Sequence, residues 1–452
     1  MKYLPLMVVW LLVLAIPAAG QHTKIEFVEF DLDNGLHVIL HQDNSTPIVA
    51  VSMLYHVGSK NEDPERTGFA HFFEHLMFEG SANIERGQFD KLITNAGGTN
   101  NANTTNDRTF YYEILPSNQL ELGLYLESER LMHARVDQIG VDTQREVVKE
   151  EKRQSVDNQP YGSIMEEIAK RAYTVHPYRW TTIGSLDHLN EASIDEFVDF
   201  YKTFYVPENA TLSIAGDIDI EKTRELVRLY FSEILQGTKE VPRPDITEPP
   251  QKEEVRDVVF DNIQLPAVIQ AYHMPAQGTP DFYSMEMLGN ILSEGQSSRM
   301  YKAIVDEEQT ALAVGAFPFP SEDPGLYLVF GIANVGVEVS DLENSINNQI
   351  SRMQDELVSE HEFQKIRNQV ENTFISRNSR VVGIAENLAN YYVYFGDANL
   401  INTEIDRFMD VTREDIQRVA GAYLVPNNRV VLHYLPKSAQ KKPEEKNIKN
   451  DN

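Results

Sequence analysis

The chain has 452 residues, 42% of them hydrophobic and 24% charged, with 24 Gly and 21 Pro, a length for roughly two to four domains with cores of their own. That balance excludes collagen-like and wholly disordered chains. A formal charge of −29 repels phosphate backbones, so no nucleic-acid partner is expected, and with no Cys there is no disulfide and no thiolate nucleophile or metal ligand.

In chain order, Lys2 precedes an apolar run from Tyr3 to Ile16, followed by Pro17 and the small residues Ala18 and Gly20. This pattern predicts a secretory signal over residues 1–20, cut before Gln21, leaving no stable membrane anchor and a periplasmic or secreted protein. From Ile25, two alternating apolar runs joined at Asn34-Gly35 predict a β-hairpin, and a third strand runs from Ile48 to Val57. Helices are predicted over Thr67–Phe78 and Ile84–Ala96, the second stopped by Gly97-Gly98. A strand over 108–115 precedes helices Asn118–Ala134 and Val141–Val156; helix Asp195–Phe204 and strand Ala210–Ile214 follow. Interleaved strands and helices with an antiparallel hairpin favour an α+β sandwich over a doubly wound parallel sheet.

Residues 236–255 contain Pro242, Pro244, Pro249 and Pro250 among many charges and read as a linker. Beyond it the first half returns. The segment leading to Pro207 parallels the one leading to Pro426, and the helix ending near Gly80 parallels the one ending near Gly295, at nearly one offset. We therefore expect two homologous α/β domains, duplicated, facing each other around a chamber that the linker lets open and close. The tail 437–452 is polar and predicted to be disordered.

His71-Phe72-Phe73-Glu74-His75 lies in the first predicted helix. Residues four apart share a helix face, so His71 and His75 can bind one zinc ion with Glu74 beside its bound water. There the metal lowers the pKa of the water and the Glu accepts its proton as the water attacks a peptide carbonyl. A third ligand is needed. Over 141–156 the spacing puts Gln144, Val147, Val148 and Glu151 on one stripe, so Glu151 is preferred over Glu150, which remains the alternative.

His71-x-x-Glu74-His75 followed by Glu151 resembles the zinc signature of the pitrilysin and insulinase family, and the length is similar to that of its short two-domain members, such as the mitochondrial processing peptidase and its bacterial relatives. The resemblance implies zinc, one ion per chain, on His71, His75 and Glu151, with Glu74 as general base. It also implies an edge strand whose Asn101-Ala102 step pairs with substrate backbone. The expected domains are a catalytic unit at 24–235 and a non-catalytic homologue at 256–436. Gln144 stands where many members carry a Glu, so any help it gives in orienting a ligand rests on a hydrogen bond rather than on charge. In the second half, Glu286, Gly289 and Asn290 replace the motif residues, and Val305 and Leu312 replace an Arg and a Tyr that steady substrate. That gap points to a heterodimer with a related non-catalytic subunit, or to a homodimer. The expected activity is a zinc metalloendopeptidase acting on unfolded peptides; the alternative is a non-catalytic peptide-binding or assembly subunit of the same fold.

Overall fold

The computed structural model describes residues 24–440. The expected signal at 1–20, and all of the tail beyond Gln440, lie outside the described residues. Among the described residues no helix is long and apolar enough to cross a membrane.

The first half builds a sheet from β1 (Val28–Asp31), β2 (His37–Gln42), β3 (Ile48–Tyr55), β4 (Thr99–Thr104), β5 (Thr109–Pro116) and β6 (Ala210–Gly216), in the order β1-β2-β6-β3-β5-β4. Its helices are α1 (Phe69–Leu76), α2 (Phe89–Asn95), α3 (Leu120–His133), α4 (Gln138–Lys152), α5 (Ile164–Ala172), α6 (Leu186–Glu191), α7 (Ile194–Phe204) and α8 (Ile220–Phe231). The second half builds β7 (Val255–Asp261), β8 (Ala267–His273), β9 (Ala311–Phe319), β10 (Leu326–Ala333) and β11 (Arg429–Pro436), in the order β7-β11-β8-β10-β9. With them come α9 (Pro280–Ser293), α10 (Val339–Asp355), α11 (Glu360–Arg377), α12 (Val381–Phe395), α13 (Leu400–Met409) and α14 (Arg413–Tyr423).

The duplication is visible strand by strand. The order β2-β6-β3-β5-β4 repeats as β7-β11-β8-β10-β9; β2/β6 and β7/β11 are the parallel pairs and the others are antiparallel. β1 is the addition in the first half, paired antiparallel with β2 across the predicted Asn34-Gly35 turn, where Gly35 has φ 87°. The fold is α+β, with two like sheets.

One predicted element is corrected in extent. The helix expected from Ile84 starts only at Phe89, because the Ser81 hydroxyl accepts from the N–H groups of Asn83 and Ile84 and holds this stretch as a turn.

Strand alternation sends successive side chains to opposite faces of each sheet. On the first sheet, Val38, Leu40, Val51, Leu212 and Ile214 pack with the half's own helices, whereas Ile39, Ala50 and Ala215 pack against Ile384, Ala385 and Leu388 of α12. The second sheet does the reverse: Ala267, Ile269, Leu328 and Leu432 pack against Ile168 and Ala172 of α5. Each half thus lends one helix to the other's sheet. Lys60 adds an ionic tie, its Nζ lying 3.2 Å from Asp107, 2.6 Å from Glu322 and 3.1 Å from Asp323, the last two in the β9–β10 turn. Residues 236–254 carry no helix or strand but are strapped down: Arg243 donates to the His56 carbonyl and to Asn209, and Glu248 accepts from the N–H groups of Thr174, Val175 and His176. Swinging the halves apart about this segment would expose both exchanged helix faces to water.

Candidate metal centre

Gly68 enters the motif helix α1 with φ 98°, and a Cβ there would meet the Ile183 carbonyl at 2.8 Å. The Glu62 carboxylate accepts from the N–H groups of Gly68 and Ala70, both at 2.8 Å, satisfying donors left over at the helix start. At the other end, the Tyr111 hydroxyl donates to the Phe73 carbonyl and the buried Arg130 guanidinium reaches the Met77 carbonyl. Phe69, Phe72 and Phe73 face the core, where Phe69 stacks on Phe197 at 4.6 Å and Phe73 on Phe200 at 5.2 Å. With that side buried, the opposite edge carries His71, Glu74 and His75 outward.

α4 supplies the third group. Asp137 caps its start by accepting from the Gly140 N–H at 2.8 Å, and Val141 and Val148 anchor it in the core. Val147, expected on the same stripe, is 43% exposed on the flank. Glu151 reaches the imidazoles and Glu150 does not: Glu150 binds Arg153 and Gln154 at the surface.

The Nε2 atoms of His71 and His75 are 3.4 Å apart, and the two Glu151 oxygens lie 3.5 Å from His71 Nε2 and 3.1 Å from His75 Nε2. These three side chains form a candidate metal-holding group, with one ligand atom of each within 4.8 Å of the others. A tetrahedron with bonds of about 2.0–2.1 Å has edges of about 3.3–3.4 Å, so the donor set fits zinc. The two imidazoles also hold the Glu151 carboxyl well below the usual carboxylate range, which keeps it ionised as a ligand must be. Beside Glu151, an open groove of about 830 Å³ is lined by Glu146, Val147, Glu150, Gln154, Ser155 and Gln159.

Glu74 bonds to a residue that sequence reasoning did not single out. The Thr104 hydroxyl donates to Glu74 Oε2 at 2.6 Å. Thr104 ends β4, the expected edge strand, which among the described residues pairs only with β5. Asn101 and Ala102 lie on that strand, with Asn101 Oδ1 accepting from the Ala102 N–H at 2.9 Å and the Ala102 methyl packed on the core. Gln144, expected to bond a ligand, donates instead to Glu79, which Arg86 also holds; Arg86 in turn reaches Asp137 at the start of α4. It therefore ties α4 to the turn after α1.

In the second half, Glu286, Gly289 and Asn290 lie on α9, and burial pushes the Glu286 carboxyl up to about 7. Val305 packs against the second core, while Leu312 stands exposed on β9.

Residues 37–185 match the family model described as Insulinase (Peptidase family M16), and residues 191–370 the one described as Peptidase M16 inactive domain. The chain is 29% identical over 408 residues to the Zinc protease PqqE of Helicobacter pylori, covering 90% of this chain and 92% of that protein. It is 24% identical over 411 residues to the Mitochondrial-processing peptidase subunit beta of Blastocladiella emersonii, covering 90% and 88%. The crystal structure of a protease from Helicobacter pylori superposes with a TM-score of 0.88 at 28% identity, covering 92% of this chain and 100% of that one.

Proposed function

Because this chain belongs to the insulinase family, peptidase family M16, we propose that it is a zinc-dependent endopeptidase of unfolded peptides, with one ion per chain held by His71, His75 and Glu151. The observation that carries this reading is the trio of side chains that bring one ligand atom each to within 4.8 Å of the others, with Glu74 between the two His on the same helix. Bound zinc supplies a Lewis acid that polarises the scissile carbonyl and lowers the pKa of water at the open coordination position.

The chain's own groups do the rest. Thr104 holds Glu74 Oε2, which leaves Oε1 to take a proton from the attacking water and pass it to the leaving nitrogen. The substrate docks as an added strand on the free edge of β4, beside Asn101 and Ala102. The Thr105 N–H donates to the Arg108 carbonyl across the β4–β5 turn, so that pair is hydrogen-bonded and the next, Thr104 with Thr109, is not. By the same alternation Ala102 and Thr104 direct their N–H and C=O groups to the free edge, and an incoming peptide displaces the Asn101 side chain from the Ala102 N–H. Folded proteins lack a free extended segment to donate and are spared.

Residues 1–20 act as a secretory signal in this reading and place the mature protein in the periplasm or outside the cell. Val305 and Leu312 stand where the family resemblance places a substrate-steadying Arg and Tyr. A second, related chain supplies them, a reading supported by the relative named as a subunit; a homodimer is the other arrangement. The test is hydrolysis of an unstructured, internally quenched peptide by the purified chain. Chelation should abolish it and one equivalent of zinc restore it; turnover that survives complete metal removal would overturn the reading.

A further inference from the structure

We propose that Thr104 is a positioning residue for the general base, and that it couples substrate docking to the orientation of that base. The proposal rests on the reading of Glu74 as base. A Glu on a helix surface rotates about two side-chain bonds beyond Cβ, and a base must offer one particular oxygen to the water. Glu74 Oε2 is pinned by the Thr104 hydroxyl at 2.6 Å, a short bond from a neutral donor to a carboxylate.

The donor is itself held in place. Thr104 is β-branched and restricted at its first side-chain torsion. It pairs across the ladder with Thr109, whose hydroxyl donates to the Val57 carbonyl at 2.9 Å. The turn beyond is closed by Thr105, whose hydroxyl accepts from the N–H groups of Asp107 and Arg108. The Glu74 carboxylate is therefore referenced to the sheet as well as to its own helix. The same residue faces the substrate through its backbone, since Thr104 shares with Ala102 the outward-directed N–H and C=O. A peptide that pairs with this edge settles the residue whose hydroxyl sets the base, so binding and alignment of Glu74 are linked through one side chain.

Two variants separate this role from a strand-forming one. Thr104→Val keeps the shape and β-branching but has no donor; Thr104→Ser keeps the donor and loses the methyl. With the quenched peptide and zinc-loaded protein, kcat of Thr104→Val should fall by about tenfold or more while KM stays within about twofold, the signature of an interaction used at the chemical step. Zinc content and Tm should match the wild type, and Thr104→Ser should recover most of kcat. A Thr104→Val kcat near wild type, a loss carried by KM alone, loss of zinc, or a Thr104→Ser variant as impaired as Thr104→Val would each overturn the proposal. A wild-type protein without turnover would overturn the peptidase reading, and this proposal with it.

Discussion

Glu150 and Glu151 are neighbours in sequence with different tasks. Glu151 faces two imidazoles, while Glu150 is spent on Arg153 and Gln154 at the surface. Glu151→Gln should therefore reduce zinc from about one per chain to a small fraction, because two remaining ligands seldom hold the ion, whereas Glu150→Gln should keep it. Metal analysis of both variants checks this, and equal loss would mean that α4 presents a different face. The His71 and His75 pair was legible because it follows from the 3.6-residue period of one helix; for Glu151 the period of α4 gave only a preference over Glu150, and its place beside the two His came from the family resemblance. The bonds from Thr104 to Glu74 and from Gln144 to Glu79 were not, because they join separate elements and no local period sets which elements meet. One clue was present: Thr104 lies two residues after Ala102 and so shares its strand face.

At the scale of elements, α1 is held at both ends by hydrogen bonds with side chains outside it. Glu62 sits at its N-terminus, the Arg130 guanidinium near its C-terminus, and a wall of Phe rings lies behind. Among the described residues β4 is paired on one side only, and its open side is where the proposed substrate strand adds. Ala102→Pro removes a free-edge N–H and adds a ring there, so kcat/KM on short peptides should fall by about tenfold or more, equivalent to ~1.4 kcal/mol, with zinc retained. Unchanged kinetics on several unrelated peptides would place docking elsewhere. Most strands of the first half were readable from alternation and from the Asn34-Gly35 turn. The start of α2 was misjudged because Ile84 is apolar and buried yet sits in a turn. No element read from the sequence covers α5; its buried face is short, and the sheet it covers lies in the other half.

Over the whole molecule, the exchange of α5 and α12 makes the two sheets one body. A duplicated chain with a proline-rich linker suggests two loosely joined units, and sequence alone does not reveal that each helix covers the other half's sheet. Cutting the chain between Thr238 and Lys239, at an inserted protease site, should leave the halves associated in gel filtration; separation into two species would contradict the exchange. The ionic tie gives an acid signature. Burial raises Glu322, but His56 and Lys60 outweigh it and hold the carboxyl at about 2, against 4.5 unperturbed. A depressed carboxyl contributes stability above its unfolded pKa and loses it as pH falls, so this tie should fade between about pH 4.5 and 2, at most on the order of 3 kcal/mol. Urea unfolding across that window should show a shallower acid loss in Glu322→Gln than in the wild type; identical slopes would mean that the pairing adds nothing.

The most direct measurement is turnover of the quenched peptide by zinc-loaded Glu74→Gln. That change keeps the helix and the three ligands and removes the group that accepts a proton. With zinc still bound, kcat should fall by about a hundredfold or more relative to the wild type. Cleavage at the wild-type rate by a zinc-loaded Glu74→Gln protein would contradict Glu74 as the base and the mechanism built on it.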